Sequence, residues 1–187
     1  TYPKLEKFKG DVTSLYQKNK STQLWQDNKG VVEFGNTLFN QYKNLDQEGL
    51  KANYPYKEEL NSVFENNPAK KISKEDTDLL LSNLYYYYAE KVYAGFDEKT
   101  SISLEWLLPR KKFNYQVLSD SIFKKSTILD DKKKKMFSQY YKLRDALKEY
   151  REIEKNGGWK TIEVGEDYKA LKVGDSSNVV AQIRERL

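Results

Sequence analysis

Apolar side chains recur every three or four residues along most of the chain, which is the spacing of one buried helix face. Leu5, Phe8, Val12, Leu15 and Tyr16 keep that period across residues 5–20, with Gly10 as a weak point. After a polar break carrying Leu24 and Trp25, a second helix is predicted by Val31, Phe34, Leu38, Phe39 and Tyr42, and Gly49 closes the region. Tyr54-Pro55-Tyr56 opens a short helix through Leu60, Val63 and Phe64. It must end before Pro68, because a proline disfavours helical geometry in the residue preceding it. The strongest prediction is a helix over residues 73–94. Ser73 supplies a capping oxygen, Glu75 and Asp76 put negative charge in the first turn, and Gly95 offers a left-handed stop. Its buried stripe is expected at Leu80, Leu84, Tyr87 or Tyr88, and Lys91 or Val92, while Tyr85 to Tyr88 cover nearly the whole circumference. Such a run reads as core with polar rims rather than as a ligand box, because a buried phenol needs only one partner.

Further along, Ile102 to Leu108 reads as a short irregular or β-like piece ended by Pro109, and Phe113, Val117, Leu118, Ile122 and Phe123 predict another helix. The longest helix is expected over residues 131–156. There Met136, Tyr140, Leu143, Leu147 and Tyr150 alternate by four and three, giving a continuous seam. Gly157-Gly158 terminates it, and Trp159, Ile162 and Val164 suggest a short extended arm. At the end, Gly174 breaks the chain, Asp175, Ser176 and Ser177 supply capping oxygens, and Val179, Val180, Ile183 and Leu187 share one apolar face. That is the opening of an amphipathic helix whose partner lies elsewhere. The expected fold class is mainly α: an irregular multi-helix domain with one long C-terminal helix and the arm as its candidate β segment. No period of about 34 or 40 residues repeats, which argues against a solenoid.

The 187 residues suit one domain, or one domain plus a fragment. At 38% hydrophobic and 33% charged, the composition is that of a well-solvated globular chain. No apolar run approaches the roughly 20 residues that a bilayer requires. The net charge of +5 is uneven. Residues 109–135 carry nine basic and three acidic groups, whereas residues 1–108 carry 14 and 16. The excess sits in Arg110, Lys111, Lys112, Lys124, Lys125 and Lys132 to Lys135. A patch of that kind suits phosphate or an anionic polymer. The stronger reading is a solvated helix start and loop, because neither Gly-rich nor Arg-rich texture accompanies it, and nucleic acid is correspondingly disfavoured.

Two absences narrow the chemistry further. The chain has no cysteine and no histidine. It therefore offers no thiolate nucleophile, no imidazole base and none of the nitrogen or sulfur ligands that zinc prefers, and no cofactor is implied. Paired acids at Glu58-Glu59, Asp76-Asp78 and Asp97-Glu98 invite comparison with glycosidase carboxylates. Sequence neighbours on a helix point apart, so that reading is weak. Lack of cysteine leaves the redox compartment open, and the stretch from Thr1 shows no leader pattern, as is normal once a leader has been removed.

The order of the landmarks is more informative than any one of them. Leu15-Tyr16, Leu24-Trp25, Gly49-Leu50 with Tyr54 and Tyr56, Asp76 to Leu81 leading to Tyr93-Ala94-Gly95, a long helix, Gly157-Gly158-Trp159, and Leu171-Lys172-Val173-Gly174-Asp175 follow in sequence. Together they resemble the N-terminal scaffold domain of the large periplasmic murein L,D-transpeptidases, over nearly the whole chain. The resemblance implies a helical scaffold over residues 1–165, then over residues 166–187 a linker and the first helix of a truncated peptidoglycan-binding-like module. It implies a catalytic domain further on, where a cysteine thiolate attacks the L,D amide of a tetrapeptide stem and passes the acyl group to an amine on another. The histidine and Ser-x-Gly-Cys segment of that domain do not occur here, so this chain is expected to be non-catalytic. The implied location is the periplasm or cell envelope, and the implied partners are peptidoglycan, through the full-length protein, and the downstream domains.

Direct contact with glycan or peptide stems has five candidate residues. Trp25, Trp106 and Trp159 have flat faces for sugar stacking, and Lys111 and Lys112 suit stem carboxylates. Trp25 and Trp159 sit at element junctions, where an indole more often plugs the core. A competing reading, from a different class, is a free-standing helical adaptor that binds a protein or nucleic acid through a tyrosine-rich groove or the basic patch.

Overall fold

The computed structural model describes residues 2–20, 22–65, 71–95, 98–105, 138–165 and 170–186, and these are mainly α-helical. The chain divides into two compact units, Thr1–Tyr141 and Lys142–Leu187. In the first, a 3-10 turn at Pro3–Phe8 runs into α1 (Lys9–Lys18). A small hairpin follows, with β1 (Gln26–Asp27) antiparallel to β2 (Gly30–Val31). Its turn is held by the Lys29 amide, which donates to Asp27 Oδ1 at 2.7 Å. Then come α2 (Glu33–Lys43), a 3-10 turn at Leu45–Glu48, α3 (Lys57–Phe64), α4 (Lys74–Ala89) and α5 (Glu98–Ser103). The next described helix, α6 (Ser138–Lys155), crosses from the first unit into the second, which ends with α7 (Asn178–Arg186).

The hub of the first unit is α4. It starts where the sequence places it, with the Asp76 amide donating to Ser73 Oγ at 3.0 Å. Burial departs from the single stripe expected. Thr77, Asp78, Leu80 to Tyr86, Tyr88 and Ala89 are all buried, because α1, α2, α3 and the N-terminal 3-10 turn pack against different sides of this one helix. Beyond the exposed first turn only Leu79 and Tyr87 stay half-buried, so the helix keeps little solvent face to make polar. Its last turn widens into a π-turn at Glu90–Ala94, and Gly95 follows as the stop. Lys7 Nζ meets Glu90 Oε2 there at 2.7 Å, tying the N-terminal turn to the end of the hub.

The four-tyrosine run is core. Tyr85, Tyr86 and Tyr88 are buried and Tyr87 half-buried, so the run packs as core and does not line a tyrosine-rich groove of its own. Their polar ends find backbone at the rim: Tyr86 Oη donates to the Asp11 carbonyl at 3.4 Å, and Tyr87 Oη accepts from the Asn53 amide at 3.1 Å. Trp25 stacks on Phe34 with centroids 5.3 Å apart, and Phe39 on Phe64 at 4.0 Å. Gly35 gives α2 its close approach: a Cβ there would lie 2.6 Å from Val31 Cγ1.

Neither candidate β segment forms a strand over its described residues. Ile102 and Ser103, expected to begin a β-like piece, complete α5, whose end is closed by Ser103 Oγ donating to the Thr100 carbonyl at 2.8 Å. The arm at Trp159 to Val164 forms no strand either, since its Glu163 amide donates to the Gln182 side chain at 3.0 Å rather than to a neighbouring strand. A strand needs a ladder partner, and among the described residues the only ladder is β1 with β2. The helix expected at Phe113 to Phe123, Pro68, and residues 131–137 of the long helix lie outside the described residues.

Candidate functional site

The most specific side-chain arrangement in the first unit is a polar cluster on the buried face of α4. Asp78 and Ser82, four residues apart, share that face. Asp78 Oδ1 accepts the Trp25 amide at 2.7 Å and the Leu24 amide at 3.1 Å, and Tyr16 Oη donates to Oδ2. Because the one phenol proton goes to Asp78, Ser82 Oγ must donate to Tyr16 Oη, at 2.9 Å. Ser82 Oγ in turn accepts the Trp25 indole N–H at 2.7 Å. The result is a directional relay, indole to serine to phenol to carboxylate, in which each bond polarises the next. Burial and the bond to Asp78 push the Tyr16 phenol far above its ordinary range. Burial does the same to Tyr54 and Tyr85. These phenols stay neutral at any physiological pH, and the relay works as an anchor joining the segment after α1 to the hub.

An open groove of about 320 Å³ runs beside α2, lined by Thr37, the carboxamides of Asn40, Gln41, Asn44 and Gln47, Glu48, and at its base the buried Tyr88. Tyr140, at the start of α6, donates to Glu48 Oε2 at its edge. The lining offers neutral donors and acceptors, and its carboxylate already has a partner. Among the described residues no cluster of acidic side chains comes together that could hold a metal ion. Nor is any described helix long and apolar enough to cross a membrane.

The candidate contact residues separate. Trp25 is fully buried, stacked by Phe34 and tilted against Tyr85, so neither indole face is open to a sugar. Trp106, Lys111, Lys112 and the rest of the basic stretch lie outside the described residues. Trp159, in the second unit, is not a core plug: 46% of it is exposed. It sits just past the end of α6, where Gly157 and Gly158 take φ of 94° and 73°. That left-handed pair lets the Gly158 amide return to the Ile153 carbonyl at 2.9 Å, closing the helix in a glycine cap. The reversal lays Trp159 edge-on against Tyr150, centroids 5.5 Å apart, and places the Arg186 guanidinium of α7 over the indole at 5.5 Å. α7 itself is capped by Ser177 Oγ, which accepts the Val180 amide at 3.3 Å.

Sequence reasoning did not single out Asp78 as an anchor or Arg186 as a partner. For Asp78 a signal existed: a carboxylate set among Thr77, Leu80 and Leu81 at helical spacing is misplaced on an apolar face unless something pairs with it. For Arg186 there was none, because the pairing with Trp159 is purely tertiary.

A central helix packed by four neighbours, an aromatic core and a polar anchor at Asp78 and Ser82 make the first unit a well-packed helical domain. The comparison of sequences agrees: residues 10–147 match the family described as Scaffold domain, and the chain belongs to it. No curated protein and no solved structure matches the chain.

Proposed function

We propose that the chain is the non-catalytic positioning segment of a cell-wall L,D-transpeptidase, working in the periplasm or cell envelope. The scaffold-family match over residues 10–147 carries the reading, and the order of landmarks from Leu15-Tyr16 to Gly157-Gly158-Trp159 supplies the cell-wall context. A support enclosed around α4 suits the task of holding a binding module and a catalytic domain in one relation while two long polymer strands are brought together. Fixing reactants in place removes much of the orientational part of a barrier. With no cysteine and no histidine of its own, the chain leaves the attacking thiolate to the catalytic domain.

The test is made on the protein that carries this chain. Deleting residues 10–147 while keeping the catalytic domain is expected to leave acylation by a small soluble tetrapeptide intact and to lower crosslinking of purified sacculi by about tenfold or more. Equal crosslinking with and without the segment refutes the positioning role. A coding sequence in which no histidine and no Ser-x-Gly-Cys segment follow refutes the transpeptidase parent.

A further inference from the structure

We propose that Tyr150, Trp159 and Arg186 form a releasable latch that sets the direction of α7 relative to the end of α6. The inference deepens the positioning reading, on which its biological meaning rests. Among the described residues, no regular backbone structure between the two helices fixes that direction. Gly157-Gly158 reverses the chain with no side chain to pack, and residues 159–165 belong to no strand. What joins the helices is side-chain contact. Trp159 lies edge-on against Tyr150 of α6, Arg186 of α7 lies over the same indole, and Gln182 of α7 accepts the Glu163 amide at 3.0 Å. One indole thus touches both helices, and it is the pin.

The strength of these contacts makes the latch reversible. An aromatic pair and an exposed cation–π contact each favour their docked form by a few-fold to about tenfold. Trp159, Tyr150 and Arg186 all remain exposed, so water competes at every surface of the joint. The docked form dominates without being locked, and any segment joined to α7 changes direction when the latch opens.

The absence of native cysteine allows an unambiguous test on the 187-residue chain. Spin labels are attached at Lys148→Cys on α6 and Glu185→Cys on α7, both exposed positions, and their separation is measured by pulsed electron resonance. The unaltered latch is expected to give one dominant narrow distance. Trp159→Ala should lower the docked-to-released ratio by about tenfold, and Arg186→Gln by a smaller factor. The double variant should be no worse than Trp159→Ala alone, because both remove the same contact. Unchanged far-UV circular dichroism shows that the helices persist in each variant. A broad distribution in the unaltered chain, or a narrow one that survives Trp159→Ala, overturns the latch. Crosslinking activity does not enter this measurement, so the latch and the positioning role can fail separately.

Discussion

Removing the Asp78 carboxylate tests the anchor of the hub directly. In Asp78→Ala the buried Trp25 amide and the half-buried Leu24 amide lose their acceptor, and Tyr16 loses the end of its relay. An orphaned buried donor costs about 1–3 kcal/mol. Over the three donors that is about 3–9 kcal/mol; relief of the carboxylate's own desolvation returns part of it, which leaves a net loss of about 3–4 kcal/mol. For a chain of this size the melting temperature should fall by roughly 6–16 °C. Asp78→Asn is the informative control. Its amide oxygen can still take the Trp25 amide, and Tyr16 can rotate its proton to accept from the new NH₂ group, so the loss should be only about 1–2 kcal/mol. Urea unfolding followed by far-UV circular dichroism measures both. An alanine variant within about 1 kcal/mol of the unaltered chain, or an asparagine variant as damaged as alanine, would refute the reasoning.

Three further outcomes are expected. Gly35→Ala should lower stability by about 1–2 kcal/mol in spite of alanine's better helix propensity, because the new methyl overlaps Val31 Cγ1; a higher melting temperature would show that β2 yields. Ser73→Ala should cost about 1 kcal/mol through loss of the α4 cap while Ser73→Asp costs little, and equal denaturation midpoints for the two would count against the cap. The tyrosine core should make the fold sensitive to alkali. Burial raises the folded-state pKa of Tyr16, Tyr42, Tyr54, Tyr85 and Tyr87 above the ordinary value, so above about pH 10 the unfolded chain loses protons that the folded chain retains. That stabilisation is complete below about pH 10 and lost as pH rises beyond it, and urea midpoints that stay level through that range would contradict it.

Much of the fold is legible in the order of residues. The Ser73 cap, the Gly95 stop, the Gly49 break and the Gly157-Gly158 termination all occur where local chemistry puts them. Each depends on two to five neighbouring residues, so a linear reading can find it. Ile102 and Ser103 escaped that reading. The β-branched Ile102 favours extended structure, yet a strand forms only beside a partner, and α5 satisfies its backbone without one.

The candidate site was less legible, for a physical reason that the two described tryptophans make plain. Both sit at element junctions with a polar residue directly after them, Gln26 and Lys160, and that local setting does not decide burial. Trp25 is buried because Asp78 and Ser82, more than 50 positions away, take its amide and its indole N–H, and because α2 brings Phe34 onto its face. Trp159 stays half exposed, with Tyr150 edge-on against it and Arg186 over its ring. The sequence by itself determined the helical periods, most of the caps and breaks, and the absence of thiol and imidazole chemistry. Only the tertiary structure decided that α4 is packed around most of its circumference and that Asp78 is an anchor. Periodicity reports which residues share a face; burial depends on how many distant elements pack around that face, and a charge is tolerated there only when they bring it enough donors.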